Sequence, residues 1–79
     1  MEIFKGKVVC PRCDGNGLIF KARIGDSQSL IYICDECDAT WKDAETIKLS
    51  NFIELAKVLK QNSCTYTDIL NLGYDWYNE

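Results

Sequence analysis

Histidine is absent from this 79-residue chain, which removes His-dependent catalytic triads and most hydrolytic metal sites at once. With only one proline and five glycines, the chain is neither low-complexity nor a flexible linker. No apolar run approaches the ~18 residues that a membrane-spanning helix requires, so no membrane partner is expected. The opening Met1-Glu2-Ile3-Phe4-Lys5-Gly6 has neither the basic nor the apolar region of a secretory signal. Positive charge is also scarce, with nine Lys and Arg against twelve Asp and Glu and a formal net charge of −3. Domains that grip nucleic acid neutralise phosphates and are usually basic, so this balance disfavours that class.

What the chain does have is cysteine, five in 79 residues. A domain this short buries only about 60% of its unfolded surface and usually needs a staple beyond its apolar core. An odd cysteine count without a signal argues for reduced thiols and a cytoplasmic location rather than a secreted disulfide scaffold. Four of the five form two copies of one frame, C-x-x-C-D, at Cys10-Pro11-Arg12-Cys13-Asp14 and Cys34-Asp35-Glu36-Cys37-Asp38. Two intervening residues make a tight turn that aims both sulfurs of a pair at one point. Two such turns, at the ends of a hairpin, can offer four sulfurs tetrahedrally at about 2.3 Å from Zn²⁺. The residue after each second cysteine often takes a positive φ, which Asp14 and Asp38 accept less readily than glycine. Cys10, Cys13, Cys34 and Cys37 are therefore the expected ligands of one structural zinc. Four sulfurs close the coordination sphere and leave no position for an activated water, so the chain reads as a non-enzyme. Tetrahedral S₄ also suits iron, one C-x-x-C pair alone suits thiol–disulfide chemistry, and unligated core thiols are the plainest alternative. Cys64 has no partner of matching spacing and is expected as a small core or helix-edge residue, off the metal.

Periodicity supplies the frame. Residues 1–9 suit a short opening strand. Leu18, Phe20, Ala22 and Ile24 alternate with Ile19, Lys21 and Arg23, the period of a strand. Gly25-Asp26-Ser27-Gln28 reads as a hairpin turn, and Ser29 to Ile33 as the return strand. Asn51 followed by Glu54 resembles a capping box, and Phe52, Leu55, Ala56 and Leu59 recur at helical spacing, predicting a helix over about 51–61. A second helical turn is expected from Thr65 to Leu72, with Asp68 near its start and Gly73 ending it. The fold class is α+β in one domain: a small antiparallel ribbon over 1–42, then a helical extension over 43–79 with an aromatic, acidic tail. Sheet and helix are expected to meet through Leu18, Phe20, Tyr32, Phe52, Leu55 and Leu59.

With its four cysteines and the hairpin between them, the stretch from about 8 to 41 resembles the zinc-ribbon superfamily. That group spans transcription factors, ribosomal proteins and adaptors and so leaves function open. The whole chain, through Ile33-Cys34-Asp35-Glu36-Cys37-Asp38-Ala39-Thr40-Trp41, is similar to small immunity proteins of bacterial polymorphic-toxin and contact-dependent growth inhibition systems. That resemblance implies a one-to-one inhibitor of a cognate toxin domain, often a nuclease. A nuclease site is basic, so its inhibitor should be acidic. Between Gln61 and Glu79 there is no Lys or Arg. Tyr66, Asp68, Tyr74, Asp75, Trp76, Tyr77 and Glu79 are the candidate partner contacts, since Tyr and Trp are favoured interface anchors. The same aromatics can instead pack the C-terminus onto the sheet. The competing class is a nucleic-acid-binding or transcription- and translation-associated ribbon adaptor using Lys5, Lys7, Arg12, Lys21 and Arg23. Glu2, Asp14, Asp26, Asp35, Glu36 and Asp38 oppose it.

Overall fold

Strand alternation through residues 19–24 creates two faces, and the molecule covers both. The computed structural model describes residues 2–13, 15–25 and 29–78. The chain opens with two strands, β1 (Glu2–Phe4) and β2 (Lys7–Val9), paired antiparallel. The single opening strand expected over 1–9 is broken because Lys5 and Gly6 both take positive φ, 52° and 81°. That geometry makes a two-residue hairpin turn whose twist matches the flanking strands. Next come β3 (Ile19–Ile24), β4 (Leu30–Cys34), β5 (Ala39–Trp41), β6 (Ile53–Glu54), helix α1 (Leu55–Gln61) and β7 (Ile69–Gly73). The five later strands form one antiparallel sheet in the order β6-β5-β4-β3-β7. The expected hairpin is β3–β4, with Phe20 opposite Ile33 and Ala22 opposite Ile31. Its tip at 26–28, and Asp14 after the first cysteine pair, lie outside the described residues. The fold is α+β.

Residues opposite one another across a sheet share a face. One face carries Ala22, Ile24, Ile31 and Ile33, and α1 lies on it through Leu55, Val58 and Leu59. Phe20, Ile53, Cys64 and Ile69 border that cluster. The other face carries Ile19, Cys34, Ala39 and Trp41, covered by Val8, Cys10, Ile47 and Trp76. Tyr32 and Phe52 belong to this second cluster. They were expected at the sheet–helix contact, but the register pairs Tyr32 with Lys21 and Trp41, one residue out of phase with the helix-bearing face. The two buried indoles satisfy their donors: Trp41 Nε1 donates to the Lys48 carbonyl and Trp76 Nε1 to that of Ile19, each at 3.0 Å. Thr40, fully buried, donates to the Asp38 carbonyl.

Two segments differ from the helical expectation. Residues 49–51 form a 3₁₀ turn and Ile53–Glu54 an edge strand, so α1 begins at Leu55 and the Asn51–Glu54 capping box does not form. Pairing of Ile53 with Thr40 and Glu54 with Ala39 outweighs local helix preference. The Leu55 amide, one of the donors a helix start leaves open, is taken by the Asp38 carbonyl at 3.1 Å. From Thr65 to Leu72 there is only one 3₁₀ turn, Tyr66–Asp68, before β7 pairs with β3. Its capping box joins Thr65 to Asp68, whose carboxylate accepts the Thr65 amide at 2.7 Å. The second half of the chain therefore contributes both edge strands of the sheet built by the first half.

Trp76 and Tyr77 are neighbours with opposite burial, 8% and 49% exposed. Trp76→Ala is expected to cost about 3–5 kcal/mol, which in a chain this small is most of the folding free energy. Tyr77→Ala should stay within about 0.5 kcal/mol of the parent. Urea unfolding followed by far-UV circular dichroism distinguishes them, and equal losses would show that Trp76 does not anchor the C-terminus.

Candidate metal centre

Each cysteine pair sits where a strand ends. Cys10 follows β2 directly, with Cys13 in the turn beyond it; Cys34 closes β4, and Cys37 precedes β5. Two pairings bring these turns together. An isolated bridge joins Val9 to Leu18, and the β3–β4 register sets Ile19 opposite Cys34. The first turn is closed by the Cys10 amide on the Gly17 carbonyl (2.9 Å) and the Gly15 amide on the Cys10 carbonyl (3.2 Å). The second is stitched to the start of β3 twice. The Asp35 amide donates to the Leu18 carbonyl (3.1 Å), and the Leu18 amide donates to Asp35 Oδ1 (3.0 Å).

The four sulfurs of Cys10, Cys13, Cys34 and Cys37 lie within 4.8 Å of one another. Cys10 Sγ is 3.7 Å from Cys37 Sγ, and Cys13 Sγ is 3.6 Å from Cys34 Sγ. A tetrahedron with bonds of about 2.3 Å has edges of about 3.8 Å, so these separations match a metal held by four thiolates. The two turns are alike in detail. Amides of Glu36 and Cys37 point at Cys34 Sγ at 3.4 and 3.5 Å, and those of Arg12 and Cys13 at Cys10 Sγ. Such donors favour the thiolate. Burial works the other way, raising the Cys10 and Cys34 thiols above the ordinary value. Burial also opposes ionisation of Cys13, but contacts from Cys10, Cys34 and Cys37 outweigh it and lower that thiol. Asp38, after the second pair, has the positive φ its position demands, 61°.

Three residues that the spacing did not single out shape the centre. Gly17 is buried, and a Cβ there would overlap Cys34 Sγ and come within 3.0 Å of Glu36 Cβ. Arg12 stacks on Phe52 with its guanidinium 4.3 Å from the ring centre, pairs with Glu54 at 2.9 Å and reaches the Cys37 carbonyl at 3.4 Å. It thereby ties the first turn to the second and to β6. Asp35 uses both oxygens, since Oδ2 accepts the Tyr74 hydroxyl at 3.0 Å. Burial, and then this bond to Asp35, raise the Tyr74 phenol. Gly-x-Gly at 15–17 was the one sequence sign of a close approach; the roles of Arg12 and Asp35 depend on contacts far along the chain.

Cys64 stands apart, bordering the helix-side cluster and donating to the Asn62 carbonyl at 3.2 Å. The candidate partner residues divide between the two ends of β7. Tyr66, 57% exposed, and Asp68, engaged in its capping box, lie beside the end of β3, where the Gly25 amide meets the Asp68 carbonyl. Tyr74, Asp75, Trp76 and Tyr77 lie at the metal end. There Asp75 pairs with Lys7 at 3.2 Å, Tyr74 packs on Phe20, and buried Trp76 packs on Tyr32 with centroids 4.6 Å apart. Trp76 is thus part of the core and offers no surface anchor. Glu79 lies outside the described residues. Comparison with protein-family models, curated proteins and solved structures finds no match to the chain. Among the described residues no helix is long and apolar enough to cross a membrane.

Because Gly17 borders the Cys34 sulfur, Gly17→Ala should weaken metal binding by about 10- to 100-fold, the usual range for residues that position ligands. Cobalt(II) titration, read by thiolate-to-cobalt absorption, measures this. An unchanged affinity would mean that the turn tolerates the methyl group and that the close approach has no function.

Proposed function

We propose that the chain is a protein–protein inhibitor built around one structural zinc, the immunity partner of a bacterial toxin domain of nuclease type. Zinc is favoured for the S₄ set because it needs no redox chemistry and takes tetrahedral thiolates readily. With all four positions filled by sulfur, neither water activation nor substrate ligation is available at the ion, which supports a non-enzymatic role.

The observation that carries the inhibitor reading is the charge around the centre. Asp35, Glu36 and Asp38 are exposed on the second cysteine turn. The Tyr74–Asp35 bond sets the C-terminal turn, with exposed Asp75, beside them. Four thiolates around a dication add a local charge of about −2. An acidic end of this kind complements a phosphate-binding cleft and raises the rate of encounter with it. The acidic face accordingly shifts from the whole 66–79 segment to the second cysteine turn and residues 74–77. For the nucleic-acid alternative, Arg12 is already engaged by Glu54, which weakens the basic surface a reader would need.

Tagged chain recovered from its native cells tests this reading, with protein identification and metal analysis on one eluate. A single stoichiometric partner with a basic cleft, alongside zinc, is expected. Recovered nucleic acid, polymerase or ribosomal subunits would overturn it. With that partner in hand, Glu36→Gln combined with Asp75→Asn should slow association several-fold at low salt and leave dissociation nearly unchanged. Unchanged association would remove the acidic end from the mechanism.

A further inference from the structure

Strand β7 does not keep its register to the end. Its pairing with β3 passes from Ala22–Asn71 to Lys21–Gly73, leaving Leu72 as an extra residue on β7. Such irregularities bend a strand and re-aim the side chains beside them. Gly73 follows with a φ of 102°, which residues with side chains rarely adopt, and its amide is taken by Asn71 Oδ1 at 2.7 Å. The chain leaves the sheet there and delivers Tyr74 to the second cysteine turn. The Tyr74 ring lies against Phe20, with centroids 5.8 Å apart, and its hydroxyl donates to Asp35 Oδ2 at 3.0 Å. Buried Trp76 then fixes this turn by donating to the Ile19 carbonyl and packing on Tyr32.

Asp35 directly follows Cys34, and its two carboxylate oxygens are bound from different parts of the chain. Oδ1 accepts the Leu18 amide just before β3, and Oδ2 accepts the Tyr74 hydroxyl. A carboxylate bound at one oxygen can still swing about its side-chain bonds; bound at both, it is fixed. Asp35 Oδ1 also lies 3.1 Å from where a Cβ on Gly17 would stand, so the first cysteine turn closes against it. With Asp35 fixed, the turn after it keeps the Glu36 and Cys37 amides aimed at Cys34 Sγ, at 3.4 and 3.5 Å. A hydrogen-bonded frame behind a metal ligand sets both its orientation and its grip.

We infer that Tyr74 is a positioning residue of the metal centre: its hydroxyl holds Asp35, and through Asp35 the second cysteine turn, in the form that grips an ion. The C-terminal turn thereby governs how slowly an ion is released, although it contributes no sulfur. The inference rests on the four cysteines holding an ion and is independent of any partner at the acidic end. Tyr74→Phe isolates the effect, because the ring stays on Phe20 and only the hydroxyl is lost. Asp35 is exposed and Tyr74 half-buried. The expected effect is therefore at the low end for residues that position ligands, about tenfold.

The test times zinc release from the loaded full chain into an excess of chromogenic chelator, with amide hydrogen exchange on the same loaded samples. Tyr74→Phe should release zinc about tenfold faster than the parent. Its Leu18 amide should lose protection while the amides of α1 keep theirs. Tyr77→Phe, which removes an exposed hydroxyl, should release at the parental rate. On an Asp35→Ala background Tyr74→Phe should change nothing further, since the bond it removes is already gone. Release at the parental rate from Tyr74→Phe overturns the inference. Faster release with protection lost evenly through α1, or an undiminished effect on the Asp35→Ala background, overturns it too, because a general loss of stability then explains the change. A parent chain that takes up no zinc overturns the metal centre itself, and this inference with it.

Discussion

Four sulfurs meeting in one small volume constrain nearly everything else in this molecule. Cys10 and Cys13 belong to the turn leaving the first hairpin, Cys34 and Cys37 to the turn between the central strands β4 and β5. Holding them together fixes where β2 crosses onto the sheet. It also buries Cys10 and Cys34 among Val8, Ile19, Trp41 and Trp76. The apolar material is divided between two faces, with seven buried residues in the helix-side cluster and eight in the metal-side cluster. Neither is large, and a chain of 79 residues has little stability to spare. A tetrahedral ion held by the four sulfurs would contribute folding free energy directly, at the side that has no helix to cover it. Arg12, Asp35 and Gly17 then serve the same point, respectively bridging the turns, carrying the C-terminal segment, and letting backbone approach sulfur.

Much of this was legible in order of how local it is. The C-x-x-C frame specifies a turn by itself, so the four cysteines that cluster could be named from spacing alone. Alternation from Leu18 to Ile24 and the β-rich return strand gave the hairpin. What could not be read was which face a residue would serve once both faces were covered. Tyr32 has the size and polarity of a half-wet strand residue, and only the pairing with Lys21 and Trp41 puts it under Trp76. Ile53-Glu54 and Ile69–Gly73 are segments too short for periodicity to assign. Each became a strand because an open edge was waiting for it, at Ala39–Thr40 and at 21–24. The helix expected at 65–72 lost to that edge, while the Thr65–Asp68 capping box survived as a single 3₁₀ turn.

The same geometry separates the surface into regions of different chemistry. Acidic side chains collect about the second cysteine turn, next to the C-terminal turn that Tyr74 and Trp76 pin in place. The uncharged β7 edge and its leucines lie along one side of the sheet.

The central claim is that a thiolate-bound ion holds the two halves of the ribbon together. It is tested most directly by metal analysis of the purified chain, then chelation followed by near-UV circular dichroism of Trp41 and Trp76. The account predicts one zinc per chain and a cooperative loss of the aromatic signal as the ion leaves, reversed when zinc is returned. A chain that carries no metal, or keeps its aromatic signal and melting temperature after complete removal, would contradict it.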